Sequence, residues 1–111
     1  MKMKEGLSML FFVKSELTQL PPFPPQQVKE IMVQGWEKVI NYQKQGKILA
    51  QGMFAGRKGG CVIWDVESVE ELHKLLSRSP IFPFLETEIT PLISIENALE
   101  SEKLALEANK H

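Results

Sequence analysis

The chain has one cysteine in 111 residues. A lone Cys61 excludes an internal disulfide and any zinc site built on several thiolates of one chain. Long apolar runs are also missing. None approaches the roughly 20 residues that a membrane-spanning helix needs. Nor is there an excess of one charge. Thirteen Lys and Arg against 14 Asp and Glu leave a formal net charge of −1, which gives no electrostatic ground for binding nucleic acid or an anionic membrane. We find no glycine-rich phosphate loop, no Ser-His-Asp set and no metal-ligand cluster in the sequence. Repeats, low-complexity tracts and domain-dividing linkers are absent as well, so residues 1–111 read as a single domain. Residues 1–5 start basic and residues 1–6 read as a frayed leader. The apolar stretch 7–13 is short and lacks a small-residue cleavage site, so it does not read as a signal peptide, and the expected location is cytoplasmic.

What is present is ordinary for a water-soluble core: 43% hydrophobic and 24% charged residues. The pattern is most explicit at residues 59–92. Cys61 to Val66 is an apolar, β-branched run after a glycine pair and predicts a buried strand. Ser68, three residues before Glu71, predicts a capping box at a helix start. That helix continues through Leu72, Leu75 and Leu76 and must end before Pro80. Residues 85–89 alternate apolar with polar, as a half-buried strand does.

Upstream, Met9-Leu10-Phe11-Phe12-Val13 predicts a strand buried on both faces at its start. The prolines of residues 20–25 exclude helix and inner strand and deliver Pro25 to a first helical turn. In 26–45, Val28, Ile31, Met32, Gly35, Val39 and Tyr42 form an apolar stripe at helical spacing, widened by Trp36 and Ile40. Gly35 in mid-helix predicts close packing of helix on sheet. Gly46 predicts a left-handed cap. Residues 48–55 read as a strand, and 56–60 as a basic hairpin connection. Residues 95–108, rich in Ala, Leu, Glu and Lys, predict a terminal helix with a thin apolar stripe.

The order strand, helix, strand, strand, helix, strand defines an α+β chain of the ferredoxin-like, split βαβ type. It has a four-stranded antiparallel sheet with two helices on one face, plus a C-terminal helix. The core is expected over about 9–93. Strands apolar on both faces would leave the second sheet face as a large exposed patch. The expected cover is the same sheet of a second copy, giving a dimeric α+β barrel around a partly apolar space.

Met9-Leu10-Phe11 with Val13-Lys14, Asp65-Val66, Ser68-Val69-Glu70, Leu72-His73 and Phe82-Pro83, with Glu88 and Leu92 following in step, are the residues through which the chain resembles the muconolactone Δ-isomerase family. The resemblance covers residues 9–92. It implies a dimeric α+β-barrel fold and isomerisation of a small unsaturated lactone by proton transfer. It further implies no metal or cofactor, and homodimers that assemble into larger rings, often decamers. Departures fall where the family pattern carries polar residues. Ile48, Leu49, Gly52 and Met53 stand along the second strand, and Arg57, Lys58, Gly59 and Gly60 around the hairpin. Gly35 replaces an acid of the first helix, whereas Glu37 matches another. Phe84 stands where the pattern has Tyr. The fold therefore carries over further than the lactone substrate does.

Each candidate for chemistry has a plainer reading beside it. His73 matches the family position and suits acid–base work near neutral pH; otherwise it is a surface histidine. Glu86 and Glu88 share one face of the last strand and become proton shuttles if that face is buried; otherwise they are solvated. Arg57, with Lys58, could anchor a substrate carboxylate or simply form a wet hairpin tip. Trp64 and Phe84, like Phe54, could form a ligand platform, or belong to the core or an interface. Glu37 reads as a surface residue, Asp65 as a turn-fixing residue and Cys61 as core.

Three function classes follow. One is a cofactor-independent isomerase or related proton-transfer enzyme acting on a small unsaturated or lactone-like acid. The others are a small-molecule-binding protein and a structural oligomer of the same fold. The terminal helix either packs against a neighbouring subunit or folds back on its own.

Overall fold

A computed structural model describes residues 8–109, so the leader at 1–6 lies outside the described residues. The elements are β1 (Met9–Leu17), α1 (Pro25–Lys44), β2 (Ile48–Met53), β3 (Gly59–Val66), α2 (Val69–Ser77), a 3₁₀ turn (Phe82–Phe84), β4 (Leu85–Leu92) and α3 (Ile95–Ala108). The sheet is antiparallel throughout, in the order β2-β3-β1-β4. This is the expected split βαβ arrangement. The second strand ends at Met53, two residues earlier than its composition implies, because the chain turns at Gly56 with φ of 77°.

Register decides which side chains share a face, since alternate residues of a strand point oppositely. Phe11 faces Trp64 and Val13 faces both Val62 and Ile89 across β1's two ladders. Phe11, Val13, Ile48, Trp64 and Val66 form the buried side of the sheet with Leu72 and Leu75 of α2, and Val39 and Tyr42 of α1 pack against them. Both α1 and α2 therefore cover the same face. The opposite face carries Leu10, Phe12, Lys14 and Glu16 of β1 beside Leu92, Thr90, Glu88 and Glu86 of β4. It divides in two. One end is apolar, with Leu10, Phe12, Ile63 and Leu92. The hairpin end is charged, with Lys14 near Glu88 at 3.9 Å and Arg57 near Glu16 at 3.4 Å.

Local chemistry explains the helix ends. Ser68 Oγ accepts from the Glu71 backbone N–H at 3.0 Å. Glu71 reaches back one residue further than a capping box requires, accepting from the Glu67 N–H at 2.8 Å. It also meets Lys47 Nζ at 3.4 Å, tying α2 to the start of β2. The C-terminus of α1 closes as a Schellman motif. Gly46, at φ of 81°, donates to Gln43 O, and Lys47 donates to Tyr42 O. At Gly59 and Gly60 a Cβ would run into the carbonyl oxygens of Ser15 and Gly52 respectively. The glycine pair thus lets β3 lie close to both of its neighbours.

The third helix behaves differently. Ser94 caps it by accepting from the Asn97 N–H at 3.1 Å, yet Ile95, Leu99, Leu104 and Leu106 are all more than half exposed. It projects from the sheet-and-helix body, and the described chain measures 66 × 31 × 24 Å.

Candidate functional site

The helix α1 buries none of its residues completely. Its stripe rests on the sheet only toward its C-terminal half, through Val39 and Tyr42. Between α1, the sheet and the segment 78–85 there remains a cavity of about 470 Å³. That size lies within the range of small-molecule sites. Its walls are mainly apolar, including Val13, Ile31, Met32, Val39, Leu75 and Phe82. The expected space lay between two sheets; this one lies on the helix side of a single sheet.

Gly35 lines that cavity, and nothing stands within 4 Å of where its Cβ would be. The expectation of close helix–sheet packing at Gly35 is therefore corrected: the residue borders open space. Glycine in a helix interior costs about 1 kcal/mol against alanine. Gly35→Ala is accordingly expected to raise the unfolding free energy by about 0.5–1 kcal/mol, read as a higher urea midpoint at unchanged slope. A lower midpoint would show that the site does not accept a methyl group.

Two aromatic residues that carry hydrogen-bond donors, Trp64 and Tyr42, belong to the cavity wall. Trp64 is 4% exposed, and its Nε1–H has no partner among the described residues. An unpaired buried donor costs roughly 1–3 kcal/mol, and a site for a ligand's acceptor is one reason such a group persists. Tyr42 packs its ring on Trp64 with centroids 5.5 Å apart. Its hydroxyl accepts from Arg78 Nη1 at 3.3 Å, which leaves its own O–H free to donate. Three cations, Lys38, Lys58 and Arg78, contribute to the walls, and no Asp, Glu or His among the described residues does. The arrangement offers an apolar enclosure, two donors on adjacent rings and positive charge. Those features suit a small anionic molecule with a carbonyl oxygen to polarise.

The residues singled out in the sequence are spread over the molecule. Trp64, Lys58 and Cys61 are the ones among them that line the cavity. Glu86 and Glu88 are exposed on the other sheet face. Arg57 lies near them, 4.5 Å from the Phe54 ring centre and paired with Glu16. His73 is exposed on α2, on the helix side of the sheet, away from both glutamates. Phe84 meets Phe23 edge-on at 5.9 Å, joining the 3₁₀ turn to the proline-rich segment. Glu37 is exposed, and Asp65 accepts from the Ser8 hydroxyl. Cys61, half-buried, contributes to the cavity wall. Tyr42, Arg78 and Lys38 are the wall residues that sequence reasoning did not single out for chemistry. The available signal was a phenol inside an otherwise apolar helical stripe, facing the interior where a hydroxyl needs a partner.

The class so defined is an α+β protein of ferredoxin-like topology with an apolar cavity beneath its helices. The comparisons narrow this. The family described as Muconolactone delta-isomerase matches residues 9–98. Muconolactone Delta-isomerase of Pseudomonas aeruginosa is 32% identical over 84 residues, which cover 76% of this chain and 88% of the relative. The protein of the same name from Cupriavidus pinatubonensis is 31% identical, with 76% and 91% covered. A crystal structure of muconolactone isomerase superposes with a TM-score of 0.67 at 26% identity, covering 78% of this chain and 90% of that one. The chain belongs to the muconolactone delta-isomerase family, and its isomerase-like character is thereby shown.

Proposed function

We propose that the protein is a cofactor-independent isomerase that takes a small unsaturated or lactone-like carboxylic acid into the cavity beneath α1 and shifts a proton between two of its carbons. The observation that carries this is the pairing of the Trp64 N–H and the Tyr42 hydroxyl at an apolar cavity that has cationic residues in its wall. A carbon next to a carbonyl loses its proton more readily as the oxygen takes up charge. Donors held ready at that oxygen stabilise the developing enolate. With no Asp, Glu or His in the wall among the described residues, solvent water entering the half-open cavity takes up that proton and returns one at the far end of the conjugated system, which completes an isomerisation with no redox change. In this reading Trp64 and Tyr42 hold the oxygen, one or more of Arg78, Lys38 and Lys58 attract the carboxylate, and the apolar walls pack against the hydrocarbon part of the molecule.

The same reading includes a cytoplasmic homo-oligomer. Leu10, Phe12, Ile63 and Leu92 leave an apolar end on the open sheet face, which a second sheet would cover. Among the described residues no helix is long and apolar enough to cross a membrane.

The test is proton NMR in D₂O with muconolactone, the compound in the relatives' names, and with a simple unsaturated lactone acid. Protein-dependent deuterium incorporation together with movement of the double bond is the expected result. A second reading, binding without turnover, rests on the lack of Asp, Glu and His among the described residues of the cavity wall. Saturation-transfer signals without deuterium incorporation would select that reading. Neither signal would defeat both.

A further inference from the structure

Gly35 stands at the centre of the inward face of α1. At about 100° per residue, Val28, Ile31, Met32, Val39 and Tyr42 all fall within about 60° of it. Nothing in the fold asks for glycine there. The glycines with positive φ among the described residues are Gly46 and Gly56, so Gly35 does not use the left-handed region. Outside its own helix backbone, none of the described atoms stands within 4 Å of where its Cβ would be, so no close approach requires it either. Glycine is also a poor helix former. What the missing side chain does is keep free the part of the cavity beneath it.

Register shows which part that is. Trp64 and Gly60 share the helix side of β3, and the Gly60–Ser15 pair lies four residues along from the Trp64–Phe11 pair. That separation is roughly 13 Å at about 3.3 Å per residue. Helix α1 runs along the same line. Tyr42 packs on Trp64. Phe23, just before the helix, meets Phe84, next to the Leu85 that pairs with Leu17 at the hairpin end. Gly35 precedes Tyr42 by seven residues, so it lies about 10 Å nearer the hairpin end at about 1.5 Å rise per residue.

The two ends of the cavity differ in chemistry. Trp64, Tyr42 and Arg78 supply hydrogen-bonding groups at one. At the other, Gly35 forms the roof and Ser15 and Gly60 the floor, with Ile31 and Met32 beside them. Ser15 Oγ lies 3.3 Å from Thr87 Oγ1, so its hydroxyl is already paired. The Gly52 carbonyl bars any side chain at Gly60, which keeps that floor low. Lys58 borders this end too, but it is exposed and keeps its ammonium in water.

We infer that the ligand is longer than its polar head. It is a conjugated carboxylic acid with an apolar group, about the size of a ring, at the end remote from the carboxylate. The head sits at Tyr42 and Arg78, the apolar group sits beneath Gly35, and Gly35 sets how large that group can be. This rests on the reading of the cavity beneath α1 as the ligand site, and it holds for turnover and for binding alone.

Two acids with the same conjugated head test it: sorbate, which ends in a methyl group, and its analogue ending in a phenyl ring. Dissociation constants are taken by NMR titration of the parent protein and of Gly35→Leu, with circular dichroism melts to establish folding. The parent should bind the phenyl acid about tenfold or more tighter, as burial of a ring implies. Gly35→Leu should erase that preference and leave the affinity for sorbate within about threefold of the parent's. On the parent, nuclear Overhauser effects from the phenyl protons should reach Ile31, Met32 and the Gly35 α-protons, a measurement that stands whether or not the leucine variant folds. Contacts of the ring to the Trp64 indole in their place would overturn the assignment. Equal affinity of the parent for the two acids would also overturn it, as would a phenyl preference that survives in folded Gly35→Leu. If neither acid binds the parent, the reading of the cavity as the ligand site falls, and this inference with it.

Discussion

Alanine in place of Leu72 is expected to lower the unfolding free energy by about 2–5 kcal/mol, the range for deleting a fully buried leucine side chain. Leu72 is 1% exposed and sits against Ile48, at 1%, and Val66, at 0%. The loss is large relative to what this domain has available. α1 contributes no fully buried residue and α3 none, so among the described residues α2 is the helix that inserts buried side chains into the core. Domains of this size have only about 5–15 kcal/mol of net stability. Each kcal/mol moves the midpoint of thermal unfolding by about 4–8 °C in a chain of roughly this length. The Leu72→Ala protein should therefore melt at least about 8 °C lower. Val69→Ala, on the same helix but at a half-exposed position, should change stability by no more than about 0.5 kcal/mol. Equal losses for the two variants would show that α2 is not where the core is closed.

The sequence was most legible where one local rule acts alone. Alternation along β4 is enough to put Glu86 and Glu88 together on one face, and Ser68 marks the start of α2. The residues 95–108 were readable as helix because nothing in them opposes it. The site was less legible because it depends on how far α1 stands from the sheet. Gly35 shows the difficulty. In one dimension a mid-helix glycine signals tight packing as well as it signals room, and only three-dimensional spacing shows that it borders a cavity. His73 and the β4 glutamates were singled out by residue chemistry and family position, but they stand on opposite sides of the sheet. Tyr42 was read as one more member of an apolar stripe. Its partner Arg78 is 36 residues away, and periodicity carries no information about such a pair.

Replacing Tyr42 with phenylalanine is expected to slow deuterium incorporation into the lactone acid by about 10²–10³-fold, the loss found when one donor to a developing oxyanion is removed. The change is narrow. The ring remains, so packing on Trp64 at 5.5 Å is kept. What disappears is one oxygen, which accepts from Arg78 Nη1 and whose O–H is free to donate toward the cavity. Arg78 is exposed and can return to water, so its lost bond should cost little stability. Binding should survive better than turnover, because the enclosure and its cations are unchanged and the missing donor matters most when charge develops on the oxygen. The expected pattern is thus a fall in kcat with KM changed far less, and a melting temperature near that of the parent protein. Parent-like exchange by folded Tyr42→Phe protein would remove the phenol from the proposed site and leave the oxygen to the Trp64 N–H. A fall in melting temperature as large as that of Leu72→Ala would instead assign Tyr42 a packing role.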